Sequence, residues 1–443
     1  MTYRELLSGN ADFRRLWAGQ VVSEVGDWLN NIAVLALAIQ LAGAGRVGLA
    51  VATYAIARHL PLFLFGPAAG VVVDRASRRR VMIAADVARA GLALGFMLAN
   101  RAGSLALIYV VGASLFSVSA FFNAAKRASI PNLVGGTEEL LAANSLSAST
   151  TAATIAVGSA LGGVVATALG RDTVFFLNAL TFLGSAEMIR RIRKPVSRGP
   201  RAPGGEEEAR RPSPPNAAVR RPTLTAYFGD FRDGLRYVRR DRVLATVFVV
   251  AGGWGLGNGA ARALYSLFGA SLGGQAAARW GASVGAVAER PTDFGISVLF
   301  VAMGLGGVLG APLARRINSG AVEGLGARMG RSLTLDGCGL LLFSLTPNLF
   351  GAAALLVARE MNFAIWWTAQ QTLLMRRTED AFAGRVFASY ETLTTLTMVG
   401  SILVSGAAAD RLGMRAVAAG GGAVIMLSGL LWFVLRRHDG GTS

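Results

Sequence analysis

The chain has 443 residues, of which 53% are apolar and only 16% are charged, and its formal net charge is +18. Soluble domains are roughly a quarter charged, and here the apolar residues come in long blocks, which excludes a set of ordinary soluble domains. With one cysteine, Cys338, and two histidines, His59 and His438, the chain has no intrachain disulfide, no thiolate zinc site and no two-histidine metal helix.

Twelve apolar blocks are candidates for membrane-crossing helices, which need about 20 mostly apolar residues. The first is too long and too polar at its centre for a cleaved signal peptide, and no lipidation motif is visible. The ninth is short and can be extended at either end. In chain order, spans 1 to 12 are 15–42, 47–73, 81–99, 104–125, 142–169, 173–192, 243–271, 293–314, 331–346, 349–374, 383–409 and 414–435.

The basic residues give the orientation of these spans. If both termini are cytoplasmic, 33 of the 44 Lys and Arg residues lie on the cytoplasmic side, seven lie in outside loops and four lie within spans. This bias follows the positive-inside rule. It predicts a multi-pass protein of the bacterial plasma membrane, and it explains the net charge without nucleic acid as a partner.

A composition change after span 6 marks the middle of the chain. Residues 193–225 are rich in Pro, Gly and charge, which predicts a disordered cytoplasmic linker. Phe231, Leu235 and Val238 then recur at helical spacing among arginines. This pattern predicts an amphipathic helix over 226–242 on the anionic inner leaflet, the alternative being a solvated continuation of span 7.

The two halves of the chain resemble each other. The segment FFNAAK at 121–126 matches WWTAQQ at 366–371, and GSAL at 158–161 matches GSIL at 400–403, with offsets of 245 and 242 residues. A near-constant offset is typical of parallel-repeat secondary transporters. We therefore predict an all-α membrane protein with 12 transmembrane helices in two pseudo-symmetric bundles: a six-helix bundle over 1–192, and a second six-helix bundle with a short cytoplasmic tail over 243–443.

The loop between spans 2 and 3 has the most specific motif. It begins at Gly70, contains Asp74 and Arg75, and ends in three arginines, which resembles the G-x-x-x-D-R-x-G-R-R motif of the major facilitator superfamily, with Ser77 in place of the second glycine. Within that superfamily the chain is similar to drug and siderophore exporters of the macrolide-efflux and enterobactin-exporter type. This similarity is carried by GDW at 26–28, RHLP at 58–61, DVAR at 86–89, PNLV at 131–134, ANSL at 143–146 and GRV at 384–386.

The resemblance implies how such a protein works. One half rocks against the other, a proton gradient supplies the energy without a cofactor, and the motif's aspartate caps a helix end of the other half in an ion-pair network that stabilises the outward-facing state. The gating residues expected on this basis are Gly70, Asp74, Arg75, Arg78, Arg79, Asp86, Arg89 and Glu391.

Span 1 has the best candidates for proton coupling. Gln20, Glu24, Asp27 and Asn31 have the spacing of one helical face. Charge within a membrane is expensive and is therefore a functional candidate by default. We predict that Glu24 or Asp27 carries the proton; the alternative is a structural pair held by Arg58 or by nearby Ser and Asn groups.

Other polar and aromatic residues fit a central substrate cavity. The resemblance implies that spans 1, 4, 7 and 10 line it, and helix packing is the alternative explanation for such residues. The cavity candidates besides Glu24 and Asp27 are Gln20, Asn31, Phe122, Trp254, Asn258, Tyr265, Arg359, Glu360, Phe363 and Trp366.

The favoured function is a proton-coupled exporter of a medium-sized, partly apolar compound, such as a drug, a siderophore or a natural product. The alternatives are an importer of a small metabolite on the same fold and a non-transporting membrane scaffold. No catalytic grouping or Walker A motif indicates an enzyme. The expected partners are a small-molecule substrate and a bilayer with an anionic inner leaflet, and the expected state is a monomer.

Overall fold

The computed structural model describes residues 2–43, 45–194, 224–280, 289–319 and 324–437, and its regular structure there is helical. Each predicted span lies on one helix. We number the helices of these residues as α1 (Tyr3–Gly9), α2 (Ala11–Leu41), α3 (Val47–Arg75), α4 (Arg78–Ala102), α5 (Leu105–Leu133), α6 (Thr137–Leu169), α7 (Arg171–Arg190), α8 (Leu224–Val238), α9 (Arg242–Trp280), α10 (Pro291–Asn318), α11 (Leu325–Leu345), α12 (Leu349–Arg377), α13 (Asp380–Leu412) and α14 (Met414–Arg437).

Polar side chains fix where several helices begin. Asn10 accepts a hydrogen bond from the Phe13 amide at the start of α2, and Asn348 accepts one from the Gly351 amide at the start of α12. Such caps satisfy amides that have no partner within the helix. The helix ends are therefore set by local sequence, close to the predicted span limits.

Ten helices of the described residues are long and apolar enough to cross a membrane. The two other predicted spans, α7 and α11, are helices of 20 and 21 residues that contain several charged side chains. Asp172 and Glu187 lie in α7, while Arg331 and Asp336 lie in α11. Both helices are unbroken, and they are the two shortest of the twelve that contain predicted spans.

The same five helix pairings occur in each half. In the first half α2 packs on α6 and α7, α3 on α5, and α4 on α5 and α7; in the second, α9 packs on α13 and α14, α10 on α12, and α11 on α12 and α14. Between the halves, α6 packs on α10 and α3 packs on α13. This confirms the predicted all-α fold of two pseudo-symmetric six-helix bundles.

Small residues allow the two halves to approach closely. A Cβ atom placed on Gly406 of α13 would lie 2.6 Å from the carbonyl oxygen of Gly48 in α3, and Ser297 of α10 donates a 2.8 Å hydrogen bond to the carbonyl of Ser159 in α6. Close backbone contact of this kind is how helices associate within a membrane.

Helix α8 is separate from α9, with a turn at 239–241 between them, so it does not continue span 7. It packs on the start of α13: the Tyr237 and Phe382 rings stack at 4.5 Å, and Ser389 donates a hydrogen bond to the carbonyl of Phe231. Its contact with lipid stays a prediction. Of the predicted linker, 195–223 lies outside the described residues, and so does the tail from 438 onward.

Candidate substrate cavity

A cavity of about 350 Å³ lies between the two halves. Five helices of the first half and three of the second form its wall. The lining residues are Ser23, Glu24, Asp27, Trp28, Asn31 and Leu35 of α2; Val51, Tyr54, Ala55, Arg58, His59 and Leu62 of α3; Arg89 of α4; Phe116, Ser119, Phe122, Asn123 and Lys126 of α5; Thr151 of α6; Arg262 and Tyr265 of α9; Phe300 and Met303 of α10; and Ile402 of α13.

Five of the residues predicted for the site line this cavity together: Glu24, Asp27, Asn31, Phe122 and Tyr265. The other predicted members do not line it. Gln20, Trp254, Asn258, Arg359, Glu360, Phe363 and Trp366 lie elsewhere in the two bundles.

Glu24 is held by four donors. Its Oε1 accepts hydrogen bonds from Gln20 at 2.9 Å and from the Lys126 ammonium at 3.4 Å, and its Oε2 accepts one each from Thr151 and Thr154 at 3.1 Å. A carboxylate with this many donors is stabilised in its charged form. The geometry therefore gives Glu24 a fixed position, and Gln20 serves to hold it.

Asp27 lies one turn further along α2 and differs from Glu24. Its side chain is half-buried at the cavity wall, and it accepts no hydrogen bond from any residue of the described part of the chain. The positive charges of Arg89 and Arg58 act on it electrostatically. Asp27 is thus a carboxyl group that is open to the cavity and free to take a partner.

Arg58 reaches the cavity from α3. It donates a hydrogen bond to the amide oxygen of Asn31, and its guanidinium carbon lies 4.7 Å from the Trp28 ring centre and 5.0 Å from that of Phe116. Beside it, the His59 Nδ1 lies 2.8 Å from the carbonyl of Ala55. Contacts with two aromatic faces fix the guanidinium plane.

Asp86 and Arg89 form a buried ion pair within α4. Arg89 also lies over the rings of Phe122 and Phe182, at 4.0 and 4.4 Å. The sequence assigned both residues to a gate. The structure places them inside the first bundle, with Arg89 at the cavity wall.

A second buried pair lies in the other half. Arg359 of α12 donates two hydrogen bonds to Asp336 of α11, at 3.0 and 2.9 Å, and another to the Tyr265 hydroxyl. Arg359 is only 5% exposed. The pair therefore joins α11 and α12, and Arg359 is not available to a cavity ligand in this arrangement. Glu360, its neighbour, is half-buried and points in a different direction along the helix.

The aromatic residues predicted for spans 7 and 10 pack on one another. The ring centres of Trp254 and Trp366 are 4.7 Å apart, and Phe363 lies 5.6 Å from each of them. Trp366 is 1% exposed and Asn258 is buried. This cluster forms part of the core of the second bundle.

The loop motif lies at one end of the bundles, where residues 75–80 lie beside residues 190–194. We call this end the basic end. Arg78 donates a hydrogen bond to the carbonyl of Ala128, and Arg79 donates one to that of Arg190. Cations favour the carbonyl ends of helices. The two arginines thus hold the loop to the ends of α5 and α7 in their own half.

The aspartate of the motif is not engaged. Asp74 is exposed and has no hydrogen bond or ion pair within the described residues, although the resemblance implies a contact with the other half. Arg75 is exposed beside it, and Gly70 has no atom near its Cβ position. Glu391 in α13 is exposed as well. The predicted gating residues therefore do not form one network here.

The opposite end of the bundles joins the two halves by strong polar contacts. Arg171 of α7 makes two hydrogen bonds to Asp293 of α10, at 3.0 and 2.9 Å. The carboxylate of Asp410 in α13 accepts hydrogen bonds from the backbone N–H groups of Gly48 and Leu49, at 2.7 and 2.9 Å, and so caps α3 across the interface.

A further contact at this end comes from Arg290. Its guanidinium donates to the carbonyls of Ala166 and Thr167 near the end of α6, at 2.9 Å each. Because three separate contacts bridge the halves at this end, it is closed in this structure.

Sequence reasoning missed several residues of the cavity. Lys126, Arg262 and Phe300 were not proposed as lining residues. Charge within a span was the available signal for Arg262, whereas Lys126 follows span 4 directly and its contact with Glu24 spans 102 positions.

Two six-helix bundles of long apolar helices around a shared cavity that contains charged side chains are the architecture of a multi-pass membrane transporter. The chain belongs to the major facilitator superfamily, because the family model described as Major Facilitator Superfamily matches residues 16–400. Proteins of this family bind and transport small molecules and are not enzymes.

Similar proteins include two exporters by name. The putative bacilysin exporter BacE of Bacillus subtilis (strain 168) is 30% identical over 139 residues, which is 31% of this chain and 34% of BacE. Macrolide efflux protein A of Streptococcus pyogenes is 36% identical over 84 residues, which is 18% of this chain and 20% of that protein. The matches thus span about a third and a fifth of these relatives.

The fold is also found in a solved structure. The crystal structure of a bacterial homologue of the iron transporter ferroportin, in its inward-facing state, has a TM-score of 0.65 to this chain at 14% identity. The likeness covers 96% of this chain and 98% of that one. At this identity it concerns the fold alone.

Proposed function

We propose that this protein is a proton-coupled exporter that moves a medium-sized, partly apolar compound out of a bacterial cell by alternating access. In this proposal it works as a monomer in the cytoplasmic membrane, the basic end and both termini face the cytoplasm, and the proton gradient is the energy source without a cofactor. The observation that carries the proposal is the contrast between Asp27 and Glu24 in the cavity.

A proton carrier must be able to exist in both charge states. Glu24 accepts hydrogen bonds from four donors, one of them cationic, which stabilise its charged form. Asp27 has no such donors among the described residues and faces the cavity. Asp27 is therefore the group that binds and releases the proton, and Glu24 positions α2, α5 and α6 around it.

The arrangement of contacts supports an inward-facing state. The bridging contacts of Arg171, Asp410 and Arg290 lie at the end that the proposal places outside. At the basic end, Asp74 is exposed and unpaired within the described residues. In the proposed cycle, Asp27 loses its proton to the cytoplasm and the compound binds. The outer contacts then break, and a proton from outside displaces the compound.

The names of BacE and macrolide efflux protein A support export over import, since both are described as moving a compound out of the cell. The apolar part of the cavity wall, which includes Trp28, Phe116, Phe122 and Phe300, fits a compound with apolar surface.

A compound screen in a strain that lacks other efflux pumps tests the proposal. Cells that express the protein should resist some compounds, and Asp27→Asn should remove this resistance at equal membrane abundance. Asp233→Asn is the matched control, because Asp233 is an exposed carboxylate of α8.

Inside-out vesicles then test direction and coupling with a compound from the screen. Respiration acidifies the vesicle interior, and addition of the compound should make the interior less acidic, as a pH-sensitive dye reports. A proton symporter would acidify the interior instead, and resistance that does not change in Asp27→Asn would remove Asp27 from the mechanism.

A further inference from the structure

The cavity holds more positive than negative side chains. Two of its four cationic groups are neutralised by carboxylates: Lys126 by Glu24 at 3.4 Å, and Arg89 by Asp86 within α4. These pairs leave little charge for a ligand, because each cation already has its counter-ion.

The other charged groups of the wall are Asp27, Arg58 and Arg262. None of the three forms an ion pair within the part of the chain that the structure describes. The free charge of the cavity is therefore one carboxylate and two guanidinium groups, which suits a ligand that carries charges of both signs.

Arg262 is the less constrained of the two arginines. It projects from α9 of the second half, is half-buried, and makes no hydrogen bond to any described residue. Glu360 attracts it electrostatically, but the two side chains form no ion pair. Its five N–H donors are thus available to a ligand.

Arg58 is oriented for the same role from the first half. Its contacts with Trp28, Phe116 and Asn31 fix the guanidinium and use only part of its donors. The charges of Arg58 and Arg262 repel each other, and the carboxylate of Asp27 attracts Arg58. Asp27 supplies one negative charge against two guanidinium groups, so the three groups keep a net positive charge that an anion between the two arginines would offset.

We propose that the transported compound is a zwitterion with aromatic or other apolar surface, whose carboxylate binds between Arg58 and Arg262 and whose ammonium group binds Asp27. The ammonium then forms an ion pair with the same Asp27 carboxylate that would otherwise bind the proton, so binding of the compound and binding of the proton exclude each other. This exclusion is what exchange transport requires. The role of Asp27 in this inference rests on the proposed function. The site between Arg58 and Arg262 that binds the carboxylate of the compound does not depend on the direction of transport.

The carboxylate site also links the two halves. Arg58 and Arg262 belong to different bundles, so an anion between them gains two charge-assisted contacts only when the halves enclose it. Binding in the cavity would therefore favour closure around the compound.

Three compounds with one ring system test the proposal: 2-naphthylalanine, which is a zwitterion; 3-(2-naphthyl)propionate, which lacks the amine; and 2-naphthylalanine amide, which lacks the carboxylate. Calorimetric titration of the purified full-length protein should give the tightest binding for the zwitterion. Arg262→Gln should weaken binding of the zwitterion and of the propionate at least about tenfold, as the loss of a charge-assisted contact implies.

The variants separate the two subsites. Arg262→Gln should leave binding of the amide unchanged, and Arg262→Lys should recover part of the lost affinity. Asp27→Asn should weaken the zwitterion and the amide but not the propionate. Arg411→Gln, which removes an exposed arginine of α13 far from the cavity, should behave as wild type, and a thermal melt of each variant shows that it is folded.

Three results would overturn the inference: no binding of the zwitterion to the wild type, equal affinity for all three compounds, or an Arg262→Gln variant that still prefers the carboxylates. These measurements use no gradient. If these binding tests fail while Asp27-dependent efflux in vesicles is intact, the export proposal still holds and only the zwitterion site is wrong. If binding is as expected but no efflux occurs, the export proposal is wrong.

Discussion

The guanidinium of Arg171 holds the carboxylate of Asp293 through two hydrogen bonds, at 3.0 and 2.9 Å, and this ion pair joins the two halves of the transporter. Asp293 is fully buried. A buried carboxylate is costly without its partner. The pair therefore stabilises the state in which this end is closed, and it must break whenever this end opens.

Asp293→Asn should shift the protein toward the state that is open at this end. Removal of one partner of a buried ion pair costs about 3–5 kcal/mol. Here this change destabilises the closed state relative to the open state. In a Cys338→Ser background, Leu35→Cys at the cavity wall should react faster with an impermeant maleimide applied from outside. Asp172→Asn is the control, because Asp172 pairs with Arg101 within one half; equal labelling rates in both variants would contradict the gate.

Replacement of Asp410 should also shift the protein toward the state that is open at this end, but by less than Asp293→Asn. It caps α3 across the interface through the amides of Gly48 and Leu49, and such caps contribute about 0.5–2 kcal/mol. Asp410→Ala should therefore accelerate labelling of Leu35→Cys less than Asp293→Asn does. A rate below that of the wild type would show that the cap does not hold this end closed.

The Arg359–Asp336 pair should act on folding more than on transport. Asp336→Asn leaves Arg359 buried with a weakened partner, which should lower stability by about 3–5 kcal/mol. Replacement of both residues by apolar ones of similar volume, Asp336→Leu with Arg359→Met, should restore much of the loss. Thermal unfolding in detergent measures this, and a single variant as stable as wild type would contradict the structural role.

Glu24→Gln should lower transport and stability without removing the coupling to protons. The amide keeps part of the contacts with Thr151 and Thr154 but leaves Lys126 without its counter-ion. Proton movement per compound transported, measured in inside-out vesicles, should equal that of the wild type. A loss of proton movement with transport retained would move the carrier role from Asp27 to Glu24.

Much of the fold follows from the sequence because hydropathy and span length are local properties. All twelve spans are helices, and the Gln20–Glu24 contact is the one expected for positions four apart on a helix. Contacts between distant helices do not follow in this way. Asp336 and Arg359 meet only because α11 packs on α12, and span periodicity carries no information on that packing.

The expected contact of Asp74 was predicted from a motif and depends on the conformation. Motif residues that pair in one state of an alternating-access protein separate in another. Arg262 and Arg58 were visible as charges within spans, but only the packed halves place both at one cavity. The sequence therefore predicts which residues carry charge in the membrane, and the structure adds which of them lack a counter-ion.

The competition between proton and compound at Asp27 is the central claim, and proton release on binding tests it most directly. Purified protein in weakly buffered solution is mixed with a compound from the resistance screen, at a pH where Asp27 is protonated, and a pH-sensitive dye is read. The wild type should release about one proton per bound molecule, and Asp27→Asn should release none. Binding without proton release in the wild type, or equal release in Asp27→Asn, would contradict the account.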